Sequence, residues 1–213
     1  MIELLIKALL SYLLGSINGA LLLGRLKGID IREMGSGNAG GTNALRTQGK
    51  GFALATMVID VGKGVLAVLL VASLPLPLVP EAAFHPDWIA AACGAAAMLG
   101  HCFPVFYGFR GGKGMATFLG VLAAVSWPLL VLALIVFALV IMLTGYVSLA
   151  TMLAAAAVPA YVLLIFGFGP LLAFGAFMAV FIAWTHRGNI QRLKAGTEDR
   201  FEKAMILRRL IGE

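Results

Sequence analysis

The sequence predicts an all-α, polytopic integral membrane helix bundle of seven transmembrane helices, with five as the alternative. Three observations carry that prediction. First, 61% of the 213 residues are hydrophobic and 12% are charged, against a charged share of roughly 25% in ordinary soluble domains. Second, residues 114–185 contain no Asp, Glu, Lys, Arg or His; a span needs roughly 20 mainly apolar residues, so this stretch exceeds one crossing. Third, lysines and arginines fall on alternate polar interruptions, the pattern of a chain threaded back and forth with its positive loops inside. The length suits one integral-membrane domain over residues 1–213.

The first span is expected at residues 2–24. It opens on Glu3 rather than a basic cluster and lacks an A-x-A cleavage site, so it is read as a retained span and not a signal peptide. A polar loop follows at 25–51, then a second span to about Ser73. A proline-rich loop at 74–87 carries Glu81 and Asp87, and a third span runs over 88–107. A short basic loop, 108–113, leads into the uncharged stretch. Breaks at Ser126-Trp127-Pro128, at 144–148 and at Gly167-Phe168-Gly169-Pro170 divide it into four crossings of about 17 residues.

Orientation follows from charge. Loop 25–51 holds Arg25, Lys27, Arg32, Arg46 and Lys50, whereas loop 74–87 holds no Lys or Arg. The N-terminus is therefore expected outside, and loop 25–51 in the cytoplasm. Arg110 and Lys113 are then cytoplasmic, as is the amphipathic tail with Arg187, Arg192, Lys194, Arg200, Lys203, Arg208 and Arg209. All three polar stretches are expected at one membrane face. The net charge of +6 reads as an orientation signal with attraction to anionic lipid. It is poor evidence for nucleic acid, since no basic stripe with interleaved aromatics is present.

The first polar stretch is GSGNAGGTNALR, residues 35–46. It matches G-x-G-x-x-G formally, but that fingerprint requires a preceding strand and a βαβ unit, and here a membrane span precedes it. What remains is a glycine-rich curl whose N–H groups can form an anion nest. Ser36, Asn38, Thr42 and Asn43 add donors, and Arg46 adds a fork for phosphate or carboxylate. A flexible loop with a solvated arginine is the alternative.

The second stretch, GFRGGKGMAT at 108–117, fails the Walker A pattern: Tyr107 stands where the leading glycine belongs, and Gly114 follows the lysine. Glycines flanking Lys113 at the start of an apolar helix still combine a nest, a helix N-terminus and a point charge, which favours phosphate. A positive-inside anchor explains Arg110 and Lys113 but not the glycines. In the third stretch, THRGNIQRLKAGTE at 185–198, His186 and Asn189 share a face if the last span continues as helix. A histidine there can act as acid, base or donor, or sit at the interface without chemistry.

Asp60 and Lys63, three apart in the second span, can pair on one helix face; intramembrane charges are functional suspects, and a buried structural pair explains them equally. His101 has no partner evident in the sequence and reads as an interior histidine. Cys93 and Cys102 have no metal-ligand spacing and read as inert buried thiols. No H-E-x-x-H, G-x-S-x-G or His-x4-Asp motif is present. A transporter for a phosphorylated metabolite would be expected to show inverted repeats, and none is visible; an assembly factor would need no phosphate loops.

Taken together, residues 35–46, IDVGKG at 59–64, GHCFPVFYGFRGGKGMAT at 100–117 and THRGNIQRLKAGTE at 185–198 resemble the bacterial acyl-phosphate:glycerol-3-phosphate acyltransferases across essentially the whole chain. Gly41 stands where that family usually has alanine, and Asn18 where proline is common. The resemblance implies transfer of a fatty acyl group from acyl phosphate to the sn-1 hydroxyl of glycerol 3-phosphate, giving 1-acylglycerol 3-phosphate and phosphate. This is the first step of phospholipid synthesis, and it uses neither metal nor cofactor.

The resemblance also implies the bacterial cytoplasmic (inner) membrane, an active site facing the cytoplasm, and association with the enzyme that makes acyl phosphate. Carried over residue by residue, it gives Ser36, His186 and Asn189 to catalysis. Arg46, Lys113, Asn38, Thr42, Asn43 and Thr117 fall in the substrate and phosphate site. Gly37, Gly40, Gly111 and Gly112 shape that site, and Glu198 supports it. Acyl phosphate is already activated, so the hydroxyl proton goes either to His186 or, preferably, to a phosphate oxygen of the donor itself.

Overall fold

The structure is a computed structural model that describes residues 1–76 and 84–206. Glu81 in the expected outer loop, and Arg208 and Arg209 in the tail, lie outside the described residues. Every regular element among the described residues is helical. The chain groups into two compact units, Met1–Ser126 and Trp127–Glu213.

The first unit begins with α1 (Ile2–Gly15) and α2 (Gly19–Leu26). The sequence suggested one unbroken span here; the two helices are bent by 46° instead. Asn18 explains the break. Its backbone is extended and its side-chain Oδ1 accepts from Leu21 N at 3.1 Å, an N-cap that starts a new helix. The polar loop is not irregular throughout either: it contains α3 (Gly41–Gln48).

Next comes α4 (Lys50–Leu66), which runs on through a π turn, Ala67–Val71. α5 (Pro86–Cys102) starts on a proline and ends before a 3-10 turn, Val105–Tyr107. α6 (Met115–Val125) closes the unit. α1 packs along α5, and α4 along α6. The α4–α6 crossing is close because Gly120 lies against the Val61 carbonyl, where a Cβ would collide. Small residues at crossings are how helices associate when lipid is as apolar as their side chains.

The second unit holds α7 (Trp127–Thr144), α8 (Val147–Ile165), α9 (Pro170–Thr185) and α10 (Arg187–Lys194). α7 packs along α8, and α8 along α9. The breaks expected at 126–128, 144–148 and 167–170 fall at the starts of α7, α8 and α9. The last expected span does not continue straight to Asn189: α9 and α10 are bent by 60°, with His186 at the corner.

Among the described residues, four helical segments are long and apolar enough to cross a membrane, and up to six if each bent pair is one span. α6 has 11 residues, about 16 Å at 1.5 Å per residue, roughly half the hydrocarbon thickness. The length criterion therefore stops short of seven.

Candidate functional site

Within the first unit the fold brings the first two glycine-rich stretches together, and one arginine stitches them. Asp30 opens the 3-10 turn Ile31–Glu33 by accepting from Arg32 N at 2.9 Å. The same carboxylate holds the Arg32 guanidinium through Nε (2.9 and 3.1 Å) and Nη2 (2.7 Å). Oriented in this way, Arg32 Nη1 donates to Tyr107 O at 2.9 Å and to Arg110 O at 3.0 Å. The hydrogen bonds and charge of Arg32 hold the Asp30 carboxyl below the usual carboxylate range. Sequence reasoning counted Arg32 only as a positive-inside charge. The D-x-R spacing was the available signal.

Asn43 organises the first stretch from inside. It is buried; its Oδ1 accepts from Ser36 N at 2.9 Å, and its Nδ2 donates to Ile31 O and Met34 O, each at 3.0 Å. It was expected to offer a donor to substrate, but both ends of its amide hold the loop closed. Ser36, Thr42 and Arg46 are exposed around this loop, with Asn38 and Gly40 half-buried beside them. Gly35 and Gly37 carry left-handed backbones (φ 56° and 71°) on either side of Ser36, as a nest requires. At Gly41 a Cβ would lie 2.8 Å from Met57 Sδ, a contact that a small shift of that flexible side chain relieves.

The second stretch turns back on the end of α5. Gly111 N donates to Cys102 O at 3.0 Å and Gly112 N to His101 O at 3.2 Å. Gly112 admits no side chain: a Cβ would run into His101 Nε2 and lie 2.7 Å from Ala39 O. Gly114 (φ 92°) caps α6, so half-buried Lys113 stands next to that helix N-terminus, where partial positive charge favours an anion. Thr117, expected in the phosphate site, is instead wholly enclosed on the α4–α6 side; its carbonyl abuts Gly64, and its hydroxyl has no hydrogen-bond partner among the described residues.

The second unit holds the third stretch. His186 is buried at the corner between α9 and α10, with Nδ1 2.8 Å from Ile182 O. A carbonyl only accepts, so Nδ1 carries the proton and Nε2 is the acceptor in the neutral ring. The orienting group is a backbone oxygen one turn back, which sequence reasoning, looking for a carboxylate, missed.

Asn189 is buried and donates through Nδ2 to Glu198 Oε1 at 2.6 Å. Glu198 also accepts from Ser148 Oγ at 2.7 Å and from Arg192 Nε at 2.7 Å. Burial pushes the Glu198 carboxyl up, but the hydrogen bonds from Ser148, Asn189 and Arg192 outweigh it and hold it below the usual range. Glu198 is thus a clasp for the loop after α10. Among the described residues no His, Cys, Asp or Glu cluster could hold a metal ion.

Chemically, the glycine-rich loops suit an anionic substrate, with left-handed glycines and polar and cationic side chains around them. Known proteins resemble this chain over most of its length. The family profile described as glycerol-3-phosphate acyltransferase matches residues 5–196. A glycerol-3-phosphate acyltransferase from Synechococcus sp. (strain CC9902) is 44% identical over 192 residues, 90% of this chain and 92% of that one. The fold is similar to a crystal structure of PlsY (YgiH), an integral membrane glycerol 3-phosphate acyltransferase, in its glycerol 3-phosphate form. The TM-score is 0.83 at 35% identity, covering 93% of this chain and 95% of that one. A second crystal structure of PlsY, in its lysophosphatidic acid form, gives 0.83 at 34% identity, with 96% and 98% covered.

Proposed function

The chain belongs to the glycerol-3-phosphate acyltransferase family, and from that premise we propose how it works: glycerol 3-phosphate is acylated to lysophosphatidic acid with an acyl phosphate as donor, on the sn-1 hydroxyl. The observation that carries this reading is the bonding of Arg32, just ahead of the first glycine-rich stretch, to Tyr107 O and Arg110 O at the second, which supports treating Ser36, Arg46 and the Lys113 loop as one polar surface. Such a surface suits phosphate and offers no strong nucleophile. An acyl phosphate needs none.

The hydroxyl oxygen attacks the acyl carbon, the bond from that carbon to the bridging phosphate oxygen breaks, and phosphate leaves with the electron pair. The hydroxyl proton passes to an oxygen of the departing phosphate. Holding both substrates in line supplies several kcal/mol, up to about 7–11 in well-oriented reactions. Arg46 and Lys113 offset the phosphate charge, Ser36 donates a hydrogen bond to it, and Gly37, Gly40, Gly111 and Gly112 let backbone N–H groups approach it. Asn38 and Thr42 add donors. From the second unit, His186 contributes its imidazole and Asn189, steadied by Glu198, its side-chain amide.

Charge supports seven crossings with the N-terminus outside. The basic loop at 108–113 and the basic tail belong on one side, which requires an even number of passages between them. α7, α8 and α9 supply three, so short α6 is the fourth. This reading puts the polar stretches on the cytoplasmic face of a bacterial inner membrane, where an acyl-phosphate-producing enzyme can associate. The test is a two-substrate assay on protein in detergent: phosphate is released from acyl phosphate only when glycerol 3-phosphate is present. Release that ignores glycerol 3-phosphate, or that requires acyl-CoA, would overturn it.

A further inference from the structure

Three charged or titratable side chains buried in the first unit take no part in the mechanism above. Asp60 and Lys63 face each other one turn apart on α4, with Nζ 2.8 Å from Oδ1. His101, near the end of α5, brings Nδ1 to 2.9 Å from Lys63 Nζ and 3.3 Å from Asp60 Oδ1. The three are at most 3% exposed.

Lys63 fixes the protons. An ammonium has three N–H donors and no acceptor, and three acceptors surround this one: Asp60 Oδ1, Ile17 O at 3.1 Å and His101 Nδ1. His101 Nδ1 must then be bare, and the ring proton sits on Nε2. That nitrogen is the atom a Cβ at Gly112 would strike first. The neutral ring also leaves the trio without net charge, which burial demands.

The other contacts of the trio run to the same place. Gly19 N donates to Asp60 Oδ1 at 3.0 Å, and beside it Asn18 Nδ2 donates to Ala39 O at 3.2 Å. Ala39 belongs to the first glycine-rich stretch, and its carbonyl is the second atom a Gly112 Cβ would meet. The trio therefore underlies the point where the two stretches touch.

We propose that Asp60, Lys63 and His101 are positioning residues for the lysine loop: the Asp60–Lys63 pair holds His101 in the tautomer whose Nε2–H lies against Gly112, and this ring sets where Lys113 stands. The inference rests on the reading of Lys113 as a phosphate contact. A purely structural ion pair would leave the kinetics of any folded variant unchanged.

The experiment measures KM for glycerol 3-phosphate and for acyl phosphate, with kcat, on the full chain in detergent, with melting temperature as the folding check. Lys113→Ala identifies which substrate the loop holds. His101→Asn keeps an acceptor for Lys63 but withdraws the N–H from Gly112. His101→Gln places an amide N–H near the Nε2 position. His101→Asn is expected to raise the same KM that Lys113→Ala raises, by about 10²-fold, the loss that a misplacement of about 1 Å can cause. His101→Gln is expected to recover about tenfold of it.

Folded His101→Asn with wild-type kinetics, beside a crippled Lys113→Ala, would overturn the positioning role alone. Normal kinetics in Lys113→Ala would overturn the loop reading and this inference with it. Should His101→Asn fail to fold, the charge-balanced double variant Asp60→Asn with Lys63→Met takes its place. It must raise the same KM, and wild-type kinetics there would equally end the proposal.

Discussion

Asn189 Nδ2 meets Glu198 Oε1 at 2.6 Å, on the same oxygen that Ser148 Oγ reaches at 2.7 Å. With Arg192 on Oε2, both carboxylate oxygens are held by the second unit itself, so the charge is fixed in place to orient Asn189. Hydrogen bonds to a charged group contribute about 1.5–3 kcal/mol. Glu198→Gln should therefore lower the melting temperature at neutral pH and reduce kcat through a loosened Asn189. The sign with pH follows from the depressed carboxyl. The stabilisation is complete above the unfolded carboxylate pKa of about 4.3 and is lost as pH falls through the lower folded value. A melting-temperature profile should fall in that acid window for the wild type and lie flatter for Glu198→Gln; parallel profiles would show that the clasp contributes nothing.

Arg32 joins the two glycine-rich stretches through one nitrogen that reaches two carbonyls, while the others are held by Asp30. This needs a planar fork, so lysine is no substitute. Arg32→Ala and Arg32→Lys should both raise a substrate KM by about tenfold or more, the scale of 1.4 kcal/mol. A lysine variant with wild-type KM would mean that charge alone suffices there.

Lys113→Ala removes a cation beside the N-terminus of α6. Removing one preorganised donor from charge that develops in a transition state costs about 10²–10³ in rate. A loss of that size in kcat/KM is expected, and steady-state kinetics with each substrate varied checks it. Unchanged kinetics would leave Lys113 as a topology anchor.

The helices were legible in the sequence because lipid imposes a simple rule, long apolar runs with breaks, and the breaks at 126–128, 144–148 and 167–170 fall between α6, α7, α8 and α9. The bends were not. Asn18 starts a new helix through a side-chain cap, and His186 sits at a corner, both inside runs whose hydropathy is continuous. Composition located the three polar stretches but could not sort their residues. Asn43, Thr117 and Glu198 have the chemistry of substrate contacts, yet Asn43 and Glu198 bind their own backbone or neighbours, and Thr117 is enclosed. The His101–Lys63 contact joins residues 38 positions apart on two helices, so no local pattern announces it.

The lysine and arginine asymmetry predicts which residues a membrane-impermeant thiol reagent reaches. Single cysteines in loop 74–87 should label from outside the cell, and single cysteines near Arg46, Lys113 and Arg187 only after the membrane is opened. External labelling at any of those three positions would break the single-face arrangement and, with it, the seven-crossing topology.

The proton on His186 gives the sharpest test of mechanism. With Nδ1–H held by Ile182 O, the neutral ring presents Nε2 as an acceptor, so it can donate to a substrate phosphate only after taking a second proton. If His186 is such a donor and the departing phosphate takes the hydroxyl proton, kcat must fall as pH rises and that second proton is lost. His186→Gln, which carries an amide N–H of similar reach, should then retain more activity than His186→Ala and show no fall on the alkaline side. A general base requires the opposite. Nε2 must be bare, kcat must fall as pH drops, and both variants should lose about 10²–10⁴-fold together. We expect the first pattern, because an acyl phosphate brings its own base. Profiles of kcat against pH for the wild type and the two variants decide it, and an acid-side fall with equal losses would transfer the proton to His186.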